Sequence, residues 1–270
     1  MKKSSLIFCS LILLTGCKKT EVANIVLQAE INDEFFRAID ARVTENEDGT
    51  FLIQGVTLRE SLTMKVESLE EKIHTFGQMS VNYASFERSN GDNYFTNPYG
   101  EGSVTISNYD ADAQIVSGTF GFTAMQEGAD TIAVQNGIFY QAKILTPLDS
   151  AVIVDSETNA GTFICLVDEN TYNPFNVSAL ESSGIIEIKG FTGNKSISIK
   201  VPLDTNSGSY PIPADGFSAY YQDGNGLQYA DSGSLFVFSH DTVEKKIRGT
   251  FFFLTEMKSI TLGQFNVTYQ

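Results

Sequence analysis

The chain has 270 residues, with 18 lysines and arginines against 33 aspartates and glutamates and a formal net charge of −15 when both histidines are neutral. That balance excludes a nucleic-acid binder working by phosphate neutralisation. Hydrophobic residues at 42% and charged residues at 19% supply enough apolar side chain for one large core or two smaller ones, and exclude a disordered chain.

The first element is an export signal. Lys2 and Lys3 precede an apolar run from Leu6 to Leu14 broken by Ser10, followed by Thr15, Gly16 and Cys17. The run is far shorter than the roughly 20 residues a membrane-spanning helix needs, and small residues occupy the cleavage position. Leu14-Thr15-Gly16-Cys17 resembles the lipobox of bacterial lipoproteins, which implies cleavage before Cys17 and lipidation of that residue. Residues 1–16 are then the signal peptide and 17–23 a lipidated tether, in which Lys18 and Lys19 can meet anionic headgroups. Two or three acyl chains, at about 0.8 kcal/mol per buried methylene, anchor stably where one would not. The expected membrane contact is therefore through the lipid. By resemblance to lipoprotein sorting, a residue other than Asp after the cysteine implies the outer membrane, facing the periplasm or the cell surface. Cys9 leaves with the signal, so Cys165 has no intramolecular disulfide partner. Its neighbours Phe163, Ile164, Leu166 and Val167 make a small buried hydrophobe its expected role.

The rest of the chain repeats itself. Ile115-Val116-Ser117-Gly118-Thr119-Phe120-Gly121-Phe122 answers to Lys246-Ile247-Arg248-Gly249-Thr250-Phe251-Phe252-Phe253, and Gly102 to Ser107 answers to Gly233 to Phe238. Asn136-Gly137-Ile138-Phe139 answers to Leu262-Gly263-Gln264-Phe265. Leu62 to Val66 answers to Ile197 to Val201, and Gly55 to Gly190. Separations fall along the chain, from 135 residues at Gly55/Gly190 to 131 at Gly118/Gly249 and 126 at Gly137/Gly263. That is the trace of a duplicated domain with deletions in surface loops. It places the first copy at 24–141, a linker at 142–160 and the second copy at 161–270. Within the linker, Pro147 interrupts and Ala151 to Val154 reads as an edge strand.

Local signals favour strands. Val104 to Ser107, Thr119 to Phe122, Ile185 to Lys189 and Ile197 to Val201 alternate or are β-branched and aromatic. Asp48-Gly49, Asn90-Gly91, Asp215-Gly216 and Asp223-Gly224 tolerate positive φ and mark chain reversals. Helix is scarce: the best candidate is Glu67 to Phe76, where Leu69, Ile73 and Phe76 share a face, with a loop as the alternative. The expectation is all-β: two tandem related antiparallel β-meander domains, each of seven or eight short strands, barrel-like or sandwich.

The lipobox, the strand Ser117 to Phe122, its copy at Arg248 to Phe253, and the closing Asn136-Gly137-Ile138-Phe139 together resemble a family of β-rich lipoproteins of unknown function common in Bacteroidota. The resemblance implies an all-β fold in the cell envelope, and brings no catalytic residues. The second copy departs from it in having Leu262 where the first has Asn136.

Reactive constellations are sparse. Only His74 and His240 are present, at non-equivalent places, and no His-Glu-x-x-His, nucleophile elbow or phosphate-cradling loop occurs. The His240-Asp241 pair reads as a solvated strand end. Asp110-Ala111-Asp112 and Asp223-Gly224-Asn225-Gly226 offer oxygens to calcium, but neither completes an EF-hand loop, and turn chemistry is the reading taken. No metal or cofactor is expected. Of 20 Phe and 11 Tyr with no Trp, Tyr94, Tyr99, Tyr220, Tyr221 and Tyr229 fall in or near loop-rich segments, as a ligand-contacting surface or a barrel rim. The leading expectation is a non-catalytic, lipid-anchored binding module with an unidentified ligand or envelope protein as partner. The alternatives are a carboxylate-dependent glycan-processing enzyme and a structural envelope-assembly protein.

Overall fold

The structure is a computed structural model describing residues 26–46, 48–77, 80–88, 90, 92–126, 130–145 and 159–270. Cys17 with its lipobox, Pro147 and the stretch from Ala151 to Val154 lie outside the described residues. The first copy contributes β1 (Val26–Ile31), β2 (Glu34–Arg37), β3 (Asp40–Glu45), β4 (Phe51–Val56), β5 (Glu60–Val66), β6 (Ile73–Phe76), β7 (Tyr83–Arg88), β8 (Asn93–Phe95), β9 (Glu101–Asp110), β10 (Ile115–Met125) and β11 (Thr131–Leu145). The second contributes β12 (Gly161–Val167), β13 (Asn170–Tyr172), β14 (Asn176–Ser182), β15 (Ile185–Thr192), β16 (Lys195–Pro202), β17 (Gly208–Ile212), β18 (Ser218–Asp223), β19 (Gly226–Tyr229), β20 (Ser232–Asp241), β21 (Lys246–Leu254) and β22 (Ser259–Thr268).

Eleven described strands per copy replace the seven or eight expected. Strands of three or four residues, such as β2, β8, β13 and β19, are too short to show an alternating pattern. The candidate helix is a loop followed by β6. Leu69 and Phe76 are buried but Ile73 points to solvent, because pairing with β9 alternates side chains at period two. Residues 142–145, assigned to the linker from sequence, complete β11.

In both copies three strands form a meander, β3-β4-β5 or β14-β15-β16. The next strand crosses to the far edge of the opposite sheet, β6 beside β9 and β17 beside β20, and the chain returns beside the meander. The second copy thus forms two sheets, β13-β12-β22-β21-β20-β17 and β14-β15-β16-β18-β19. In the first copy the equivalent sheets are joined: β11 runs parallel to β3 from Lys143↔Arg42 to Leu145↔Thr44, and β8 meets β10 at Phe95↔Met125. The first copy is therefore a closed barrel. One of these corners survives in the second copy as two hydrogen bonds, Gln270 N to Ala179 O and Glu181 N to Gln270 O. Barrel and sandwich are two states of one topology.

Register confirms the duplication residue by residue. Gly55 faces Leu62 and Gly190 faces Ile197. Gly118 faces Phe139 and Gly249 faces Phe265, while Phe120 faces Gly137 and Phe251 faces Gly263. A Cβ at Gly118 or Gly137 would overlap the rings of Phe139 or Phe120, and one at Gly249 would lie 2.9 Å from the Phe265 ring. The glycines are spaces that cross-strand phenyl rings fill. Those rings stack in the same way in both copies, Phe120 on Phe139 at 6.4 Å and Phe251 on Phe265 at 6.3 Å between centroids. Each copy has its own apolar core.

The copies are held together by residues outside both cores. Strands β3, β4 and β5 are buried on both faces, so Arg42, Thr44, Gln54 and Thr63 are enclosed. Phe252, between the core-facing Phe251 and Phe253, is fully buried yet belongs to neither core. Arg42 Nε donates to Asp40 Oδ1 at 2.8 Å, and its Nη1 and Nη2 donate to the carbonyls of Gly263 and Phe251 at 3.1 and 3.4 Å. The Leu262 amide in turn donates to Asp40 Oδ2 at 2.8 Å, and Arg248 Nη2 donates to the Glu45 carbonyl at 3.0 Å. The buried ion pair thus stands on one copy and takes further hydrogen-bond partners from backbone of the other, which is what a buried charge pair requires.

Candidate functional site

The residues singled out from sequence do not converge. Tyr94 and Tyr221 are buried, because strand alternation turns them inward, while Tyr99 and Tyr229 are exposed. Tyr220 is half-buried, donates to Glu187 and meets Tyr229 edge-on at 6.2 Å. Only this last pair shares a surface, on the outer face of β18 and β19. Asp110 Oδ1 accepts from the amides of Asp112 and Ala113, and its equivalent Asp241 accepts from Val243 and Glu244. Asp223 likewise accepts from the Asn225 amide. These are turn-closing contacts, and among the described residues no three His, Cys, Asp or Glu gather in a metal-binding group.

His74 is buried, with Nε2 3.3 Å from the Glu70 carbonyl. His240 is half-buried rather than solvated: Nδ1 sits 2.9 Å from the Thr205 carbonyl and Nε2 3.1 Å from the Tyr269 hydroxyl. A carbonyl can only accept, so Nδ1 carries the proton of that contact. Cys165 is 2% exposed, and burial pushes its thiol well above the ordinary range. It should resist a thiol reagent in the native protein and react on unfolding. Rapid modification of the folded chain would contradict this burial.

The arrangement with chemical capacity lies instead where the copies meet. The turn between β4 and β5, the start of β5 and the end of β7 supply Thr57, Arg59, Glu60, Ser61, Glu87 and Arg88. The second copy supplies Ser209, Pro211 and Ser234 from β17 and β20. They enclose a cleft of about 140 Å³. Arg88 Nε is 3.7 Å from Glu60 Oε1, and its guanidinium lies 5.5 Å from the Phe86 ring and 5.8 Å from the Tyr94 ring. These contacts fix the direction of the arginine fork. Burial raises the Glu60 carboxyl above its ordinary value, with Arg88 pulling it back. Burial also raises Glu87, opposed by a hydrogen bond from Ser61. The cleft is below the roughly 300–1,000 Å³ of sites that enclose a whole drug-sized molecule. It suits a small polar ligand, or one polar group of a larger molecule, with oxygens for the arginines and donors for the carboxylates.

Sequence reasoning missed this cleft, since its walls come from segments more than a hundred residues apart. One signal was present: Arg42 stands in the otherwise apolar run Ala41-Arg42-Val43. The other was Leu262 in place of Asn136, at the same bulge with φ of 48° and 52°. In the first copy Asn136 donates to Glu30 at 2.8 Å, whereas in the second the Leu262 amide meets Asp40 of the other copy.

The sequence family described as a domain of unknown function, DUF6252, matches the chain twice, over residues 23–143 and 159–269. No curated protein matches it.

Proposed function

The chain belongs to the DUF6252 family, whose domain it carries in two copies, and from that premise we propose that it is a lipid-anchored outer-membrane protein of the cell envelope. In this reading it binds, without transforming, a small polar ligand or ligand group between its copies. The observation that carries the reading is the cleft itself, which requires both copies and a fixed angle between them. The Asp40–Arg42 pair seated on the Phe251 and Gly263 carbonyls supplies that fixity, and a preformed site spares the cost of ordering it on binding. The sequence at Leu14 to Cys17 supports the anchor. A second reading, carboxylate-dependent glycan processing, draws support from Glu60 and Glu87, since a general acid needs a raised carboxyl pKa. Against it, Arg88 holds Glu60 towards its charged form.

Two measurements test the proposal. Metabolic labelling with an alkyne palmitate analogue should mark the chain and be lost in Cys17→Ser; label that survives the substitution removes the anchor. Thermal-shift measurement against sugars, amino acids and short peptides of the envelope should find a ligand whose stabilisation disappears in Ser234→Trp, which fills the cleft. Turnover of that ligand, abolished by Glu87→Gln, would replace binding with catalysis.

A further inference from the structure

One edge of the first copy combines exposed apolar side chains with arginines, in a chain whose net charge is −15. Phe35 is 68% exposed, Ile39 43% and Leu58 39%. Together with Arg37 and Arg59 they line one shallow depression, which shares Thr57, Leu58, Arg59 and Glu60 with the cleft between the copies. The chain has only five arginines. Arg42 and Arg248 cross the interface between copies, and the other three, Arg37, Arg59 and Arg88, all stand at this edge or in the adjoining cleft. Glu34, Glu60 and Glu87 are the acidic neighbours, Glu60 being paired with Arg88.

The position of this edge is fixed by where the chain enters the fold. Ala38 N donates to the Leu27 carbonyl, and Ile39 N to the Val56 carbonyl. Val26, the first described residue, is therefore next to the depression. Eight residues separate it from Cys17, a reach of at most about 30 Å even fully extended. A lipid on Cys17 would thus keep this edge within about 30 Å of the bilayer.

We propose that the edge formed by Phe35, Arg37, Ile39, Leu58 and Arg59 rests on the membrane, its apolar side chains entering the headgroup layer and its arginines meeting anionic lipid. The inference rests on the lipid-anchor reading above. Apolar groups flanked by arginine suit the boundary between acyl chains and headgroups, and arginine offers phosphate a two-pronged donor. Because the cleft shares this edge, its mouth opens beside the bilayer surface.

The test uses the chemistry of the native thiols. In the lipidated chain Cys17 is acylated and Cys165 is buried, so a Leu58→Cys variant has one reactive thiol for an environment-sensitive dye. Val243→Cys, at a position 92% exposed in the second copy, is the comparison. With the lipidated protein in phosphatidylcholine vesicles containing phosphatidylglycerol, dye at position 58 should shift to the blue. Aqueous iodide should quench it several-fold less than dye at 243, and Arg37→Glu/Arg59→Glu should remove the difference. Equal quenching at the two positions overturns the proposal. So does equal shielding of position 58 before vesicles are added, which would assign the edge to a protein contact. If Cys17 itself takes up dye, the anchor reading fails separately. A Cys17→Ser chain held on nickel-chelating lipid by an N-terminal histidine tag then decides the surface alone, by the same comparison.

Discussion

Arg42→Ala is expected to cost about 3–5 kcal/mol, the range for removing one member of a buried ion pair, which is a large share of a typical domain's stability. The loss has two parts. Asp40 is left buried without its cationic partner, holding the Leu262 amide, and the carbonyls of Gly263 and Phe251 lose the guanidinium donors. Since the severed contacts join the copies, urea unfolding should also separate into two transitions as each core melts independently. The double variant Asp40→Asn/Arg42→Met removes both charges at once and should cost less than Arg42→Ala alone, because no unpaired charge is enclosed. A single-variant loss within about 0.5 kcal/mol, the scale of a surface substitution, would show that the pair does not hold the copies together.

Gly118→Ala is expected to destabilise by about 3 kcal/mol, at the upper end of the range for overpacking. The added methyl overlaps both the Phe139 ring and the Thr105 carbonyl, and backbone across a paired strand cannot step aside as a side-chain terminus can. The equivalent Gly249→Ala meets the Phe236 carbonyl at 2.5 Å and the Phe265 ring at 2.9 Å, and should behave alike. Gly121→Ala, three residues along the same strand, is the control. Its methyl would find only the Val134 carbonyl, at 3.4 Å, and the lost freedom of the unfolded chain offsets that contact. Melting temperatures compared across the three variants decide the matter. Equal melting of Gly118→Ala and Gly121→Ala would mean that the phenyl rings do not depend on those spaces.

Much of the fold can be read from the amino acids because duplication writes the same constraint twice. Gly118 and Gly249, or Gly137 and Gly263, recur with their phenylalanines since each glycine and ring fill one another's space. The alternating runs at Ile185 to Lys189 and Ile197 to Val201 fall in β15 and β16 for the same local reason. Short strands such as β8 escape notice: three residues cannot display a period, so Tyr94 reads as a loop residue although alternation buries it. The cleft was illegible for a different reason. Glu60, Arg88 and Ser234 approach one another only after two folded bodies dock, and no local spacing encodes that approach. Arg42 betrays it only weakly, as a charge between the apolar Ala41 and Val43.

The joint between the copies is heterologous: one kind of face on the first meets a different kind of face on the second. Repeated between molecules, a contact of that type would close into a ring or, where its rotation does not close, run on into a filament. Sequence divergence since the duplication has made the two faces different in each copy. On the register of β3 with β4 and β14 with β15, the position equivalent to Arg42 is Ser178. The position equivalent to the enclosed Phe252 is Gly121, which is half-buried. The coupling has a plug and a socket, and within the described residues this pair of faces is already joined inside one chain.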